Sequence, residues 1–95
     1  MSLINELNNI LEQYLPGYSW IEIPQMKFSE DMEGNIYFNE CYLCSGKDLK
    51  YDYCNIEFSR ISIYFYKKIK IIIDFDWEED TPPVISSFGA LAIGI

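Results

Sequence analysis

The sequence predicts an α+β fold: an N-terminal amphipathic helix packed on an antiparallel meander sheet of four to six strands. Three observations predict it. Apolar residues recur at helical spacing over the first fifteen positions. The period then changes to two, the signature of half-buried strands. Polar or proline-containing breaks divide the two-residue stretches into short segments suited to tight connections.

The helix is carried by Leu3, Ile4, Leu7, Ile10, Leu11, Tyr14 and Leu15, which form one apolar stripe. Asn5, Glu6, Asn8, Asn9, Glu12 and Gln13 face away. Ser2 is placed to cap the first turn, and Pro16-Gly17 ends the helix because neither residue continues it well. Tyr18 to Ile23 reads as a strand, with Pro24 marking an edge or a bulge. Glu30 to Asn35 is a polar turn. Asn35 to Cys44 alternates as one strand, and Ser45-Gly46-Lys47-Asp48 turns the chain again. Tyr51–Phe58, Ile61–Tyr66 and Ile69–Trp77 read as three further strands. Lys67-Lys68 connects the second to the third, and Thr81-Pro82-Pro83 breaks the last. The apolar end from Val84 to Ile95 suits a short final strand. The helix stripe is expected to cover one sheet face, because neither layer buries its apolar side alone.

Residues 1–95 read as a single domain, since two cores would leave too few residues for each. Apolar residues make up 49% of the chain and aromatics 17%, enough for a core and too many for a disordered chain. Fifteen acidic and seven basic residues give a net charge of −8. A chain of that sign repels phosphate and anionic lipid, so direct binding to nucleic acid or a membrane is disfavoured and a basic protein partner is favoured. No basic leader followed by an apolar run stands at the N-terminus, and no stretch of about 18 apolar residues occurs. With three cysteines, an odd number, these features point to a cytoplasmic protein with free thiols.

The charge is segregated. Residues 67 to 73 carry +3 and residues 74 to 80 carry −5. In an extended chain Asp74, Asp76, Glu78 and Asp80 share one face at a spacing of roughly 7 Å, two residues of strand rise. That is close to the phosphate repeat of one nucleic-acid strand, so the ladder suits a basic groove built for nucleic acid. As partner-binding residues we take Asp74, Asp76, Trp77, Glu78, Glu79 and Asp80, with Tyr64 and Tyr66 beside them. Tyr and Trp favour protein interfaces because a rigid ring contributes large contact area at small entropic cost. A solvated strand face whose charges deter edge pairing is the plainer reading of the same run.

Other constellations carry less. Cys41 and Cys44 in C-x-x-C, followed by Gly46-Lys47, look like half of a zinc knuckle, but a structural zinc site needs four ligands. Only Cys54 and carboxylates such as Asp48 or Asp52 remain to complete it, and two thiols three apart on a regular strand point to opposite sides. No metal or other cofactor is expected. The chain has no histidine, the commonest general base, and no G-x-S-x-G, P-loop or G-x-G-x-x-G, so an enzyme is not expected either.

An amphipathic helix ending Leu15-Pro16, then Trp20, then Tyr- and Phe-rich strands closing on Ile73-Asp74-Phe75-Asp76-Trp77-Glu78-Glu79-Asp80, resembles the layout of small acidic bacterial toxin-immunity proteins of the YezG-like group. The long central helix of that group has no counterpart here. The resemblance implies a stoichiometric inhibitor that covers the active surface of a toxin, often a nuclease. A phage anti-defence protein of the anti-CRISPR type needs the same surface physics and is the alternative. A non-catalytic structural module, forming a homo-oligomer through the apolar C-terminal tail, is the third reading.

Overall fold

A computed structural model describes residues 2–14, 27–66, 69–76 and 84–93. It is α+β: helix α1 (Leu3–Tyr14) precedes seven strands. These are β1 (Phe28–Glu30), β2 (Asn35–Phe38), β3 (Cys41–Ser45), β4 (Tyr51–Ile56), β5 (Arg60–Phe65), β6 (Ile69–Asp76) and β7 (Val84–Ala92). The strands form two antiparallel sheets rather than one meander, β1-β2-β3 and β4-β5-β6-β7. The chain divides correspondingly into two compact units, Met1–Lys50 and Tyr51–Ile95.

In the first unit Ser2 caps α1 as its sequence position suggests. Its hydroxyl accepts the Asn5 amide at 3.2 Å, and its carbonyl accepts that of Glu6 at 3.1 Å. Leu7, Ile10, Leu11 and Tyr14 are buried, as are Phe28, Ile36 and Phe38 of the sheet. The expected outward direction of Asn8 is corrected by β1. The Asn8 side-chain amide donates to the Phe28 carbonyl at 3.1 Å and accepts the Phe28 N–H at 2.8 Å. An Asn side chain carries the same donor and acceptor as a peptide group, so it completes the hydrogen bonding of a strand residue. The ring of Phe28 meets that of Phe38 at 4.8 Å.

Two turns organise this sheet. Between β1 and β2 the Gly34 N–H bonds the Asp31 carbonyl, and Gly34 adopts φ 85°, a conformation free of strain only without a Cβ. The expected single strand over Asn35–Cys44 is instead a hairpin. Asn39 and Glu40 both have positive φ (53° and 62°), the mirror-image turn whose twist matches its flanking strands. Asn tolerates that region; Glu does not favour it, which is why the pair did not read as a turn. The pairing shifts register between Ile36 and Tyr37, so Cys44 opposes Ile36 and Cys41 opposes Phe38. Gly46 closes the unit, its N–H donating to the Gly34 carbonyl at 2.8 Å.

In the second unit β6 pairs on both sides. Ile61, Ile63 and Phe65 of β5 and Ile71, Ile73 and Phe75 of β6 are buried. The final strand, expected to be short, is the longest, nine residues paired to β6 along its length. Its small residues and glycine weakened the sequence signal, whereas pairing with β6 supplies what propensity lacks. The expected strand over 18–23, the Lys67-Lys68 connection and the Thr81-Pro82-Pro83 break lie outside the described residues. Strand β1 had no sequence signal, being three residues long.

Three substitutions test these contacts. Asn8→Ala removes both bonds to Phe28 and lowers unfolding free energy by about 1–3 kcal/mol, because the strand's peptide groups lose their partners. Urea denaturation measures it. A Cβ at Gly46 would lie 2.5 Å from the Gly34 carbonyl oxygen, so Gly46→Ala destabilises by about 1–3 kcal/mol. A Cβ at Gly89 meets nothing within 4 Å, and Gly89→Ala leaves the denaturation midpoint unchanged or higher.

Candidate functional site: the open face of the second sheet

Alternation along β6 puts Lys70, Ile72, Asp74 and Asp76 on the face opposite its buried residues. Register carries that face across the sheet. One row is Arg60–Asp74–Ser87, the next Asn55–Ser62–Ile72–Gly89, and the third Tyr53–Tyr64–Lys70–Leu91. Each row has its own chemistry.

The first row is polar and closed on itself. Arg60 Nε donates to Asp74 Oδ1 at 2.6 Å and its Nη2 to Oδ2 at 3.4 Å, a two-point grip that matches the planar fork to the carboxylate. Ser87 Oγ donates to the same Oδ2 at 2.9 Å. The Arg60 guanidinium, with Ser87 adding to it, holds the Asp74 carboxyl below its ordinary 3.8. The same pair raises Arg60 above its usual value. Since the Arg60 side chain is 48% exposed, solvent screens the pair, and its main effect is to orient both groups.

The third row is aromatic. Tyr53 and Tyr64 stack at 4.5 Å with planes only 10° apart, and the Lys70 ammonium lies 5.9 Å from the Tyr64 ring centre. Between the rows a shallow groove of about 300 Å³ is lined by Arg60, Ile72, Asp74, Ser87, Gly89 and Leu91, with Phe88. Tyr66 follows β5 and is exposed.

Four of the eight residues assigned to a partner surface are therefore placed. Asp74 and Tyr64 share the open face, Asp76 ends β6 exposed, and Tyr66 is exposed just after β5. Trp77, Glu78, Glu79 and Asp80 lie outside the described residues. The first rung of the carboxylate ladder is not a bare charge: Arg60 already neutralises Asp74. Sequence reasoning missed Arg60 and Ser87, which only strand register brings to Asp74. It missed the Tyr53–Tyr64 stack for the same reason.

In the first unit the polar counterpart is Asp31. Its Oδ1 accepts the Glu33 and Asn35 backbone N–H groups at 3.0 and 2.9 Å. Its Oδ2 accepts the Asn35 amide at 3.0 Å and the Tyr37 hydroxyl at 3.1 Å. The Asn35 side chain, then its backbone N–H, hold Asp31 below 3.8, and the bond to Asp31 raises Tyr37 above 10.0. The carboxylate shapes the β1–β2 turn and its lone pairs are occupied by the turn's own donors.

The cysteines remain thiols: Cys41 is exposed, and Cys44 and Cys54 are half-buried. The register shift corrects the expectation that Cys41 and Cys44 point apart, since both oppose residues of one buried row, Phe38 and Ile36. Burial raises the Cys44 thiol above its ordinary value, which disfavours the thiolate a metal needs. Among the described residues no three His, Cys, Asp or Glu side chains gather at ligand distance. No helix among them is long and apolar enough to cross a membrane.

The chain matches no family model, no curated protein and no solved structure. The resemblance to toxin-immunity proteins rests on the sequence pattern alone.

The two lowered carboxyls set an acid limit. A group whose folded pKa lies below its unfolded value contributes stability that is present above the unfolded value and lost as pH falls through the folded one. Asp31 and Asp74 both behave so, with the loss concentrated below 3.8. Stability measured against pH should fall on that acid limb, and Asp31→Asn and Asp74→Asn should each flatten it. An acid limb identical to wild type in both variants contradicts the assigned bonds.

Proposed function

We propose that the protein is a stoichiometric inhibitor that binds a basic protein partner and blocks it without catalysis. A bacterial toxin with a nucleic-acid-binding surface is the partner class that fits best, which makes the chain an immunity protein acting in the cytoplasm. The observation that carries this reading is the acidic sequence that follows β6. Asp76 stands exposed at the end of the open face, and Trp77, Glu78, Glu79 and Asp80 follow it in sequence. The Arg60–Asp74–Ser87 row fixes the strand from which that run departs. Complementary charge steers a basic partner in, and Tyr64, which stands opposite Lys70 six residues along β6 from Asp76, slows the release of a partner that spans the open face.

Charge accounts for the blockade. A groove that holds phosphates by Lys and Arg side chains accepts a row of carboxylates at similar spacing, and the occupant excludes nucleic acid from the same surface. Arg60 neutralises Asp74, so the binding charge on this reading resides in Asp76, Glu78, Glu79 and Asp80.

The partner is identified by capture from the native host on immobilised full-length protein, followed by mass spectrometry. A basic protein is expected, captured at low salt and released by salt. With that partner, the variant Asp76→Asn, Glu78→Gln, Glu79→Gln, Asp80→Asn should bind at least about tenfold more weakly and lose most of its salt dependence. Affinity and salt response equal to wild type, in a folded variant, overturn the placement. An acidic partner overturns the class.

A further inference from the structure

Strand β4 shifts register between Tyr51 and Tyr53, so Asp52 and Tyr53 together oppose Tyr64 of β5. Regular alternation from Tyr51, which pairs with Phe65, would carry Tyr53 to the buried side. The bulge turns it to the open face instead, where it stacks on Tyr64 at 4.5 Å with planes 10° apart. Asp52 stands beside it, exposed, and forms no ion pair among the described residues. The two ends of the stack differ. At the inner end the Lys70 ammonium, from β6, lies 5.9 Å from the Tyr64 ring centre. At the outer end β4 is the last strand of the described sheet, and Tyr53 is 48% exposed. Covered on one face by Tyr64, the Tyr53 ring turns the other outward.

We infer that the outer face of Tyr53, with the Asp52 carboxylate beside it, takes an arginine side chain of the basic partner. The inference rests on the inhibitor reading for that partner and adds a second point of attachment to it. An aromatic face is the negative part of the ring's quadrupole and attracts a cation within about 6 Å of its centre. The stack already holds one cation at its inner end, Lys70, and presents the same chemistry at its outer end. Asp52 adds a full negative charge there. A nucleobase would stack as well, but the phosphate it brings is opposed by that carboxylate and by the net charge of −8. Among cations a guanidinium fits better than an ammonium. It is planar and weakly hydrated, so it lies flat on the ring while its N–H groups reach a carboxylate at the edge. Tyr53 stands in the row of Lys70, six residues along β6 from Asp76, or roughly 20 Å. The partner is thereby held at both ends of the open face, by carboxylates at one and by a ring at the other.

The test uses the purified full-length chain and a hexa-arginine peptide. Titration followed by nuclear magnetic resonance should shift the Tyr53 ring resonances saturably, with Overhauser contacts from arginine side-chain protons to that ring. Tyr53→Leu, checked for folding by circular dichroism, should bind the peptide about two- to fivefold more weakly, the worth of an exposed cation–π contact. Tyr53→Phe keeps the ring face and should bind as wild type does. Asp52→Asn, at an exposed position of the bulge, should also weaken binding. Hexa-lysine, of equal charge but without the planar head, should lose less affinity on Tyr53→Leu. Tyr53 resonances unmoved at saturation, Tyr53→Leu equal to wild type, or Tyr53→Phe as weak as Tyr53→Leu overturns the site and leaves the inhibitor reading standing. A captured partner that is acidic overturns that reading, and with it the source of the arginine, even where the hexa-arginine titration succeeds.

Discussion

Ile71, Ile73 and Phe75 leave water on one side of β6, and their burial obliges Lys70, Ile72, Asp74 and Asp76 to stand on the other. A shift of one residue would reverse both sets, placing two carboxylates among isoleucines at a cost of several kcal/mol each. β5 meets the same condition through Ile61, Ile63 and Phe65, so the register of one strand constrains its neighbour. The polar rows are consequences. Arg60 reaches Asp74, and Tyr53 stacks on Tyr64, because the apolar face leaves them no other alignment.

Among its described residues the first unit meets the same condition with three strands. Three short strands bury only Phe28, Ile36 and Phe38, and α1 is buried through Leu7, Ile10, Leu11 and Tyr14. Local polar bonds then fix what area alone does not. Asn8 completes the peptide hydrogen bonds of Phe28, Asp31 gathers four donors of its turn, and Gly46 approaches the Gly34 carbonyl. Each is a short-range device suited to a small unit, where little apolar area is available.

Periodicity made α1, β5 and β6 legible, because each buries a full stripe or face and its sequence repeats the geometry of that burial. Asp74 and Asp76 stand on the face opposite the buried one for the same reason. What escaped was set by pairing rather than by period. Asn39-Glu40 turns the chain without glycine, so an apparently continuous strand hid a hairpin. β7 intersperses serine, glycine and alanine among Val84, Ile85, Phe88 and Leu91 and draws its length from β6. Arg60 and Ser87 lie 14 and 13 residues from Asp74, and no local pattern announces that they meet it. The separation into two sheets was illegible too, since alternation states which side a residue faces and not which strands it joins.

The open face and its polar rows depend on the register of the second sheet, and nuclear Overhauser contacts between backbone protons read it directly. Contacts across Ile61–Ile73–Phe88, Ser62–Ile72–Gly89 and Ile63–Ile71–Ala90 are expected. Contacts displaced by one residue, with Asp74 opposite Ile61 or Ile72 opposite Phe88, would place the carboxylates on the apolar face and contradict the account.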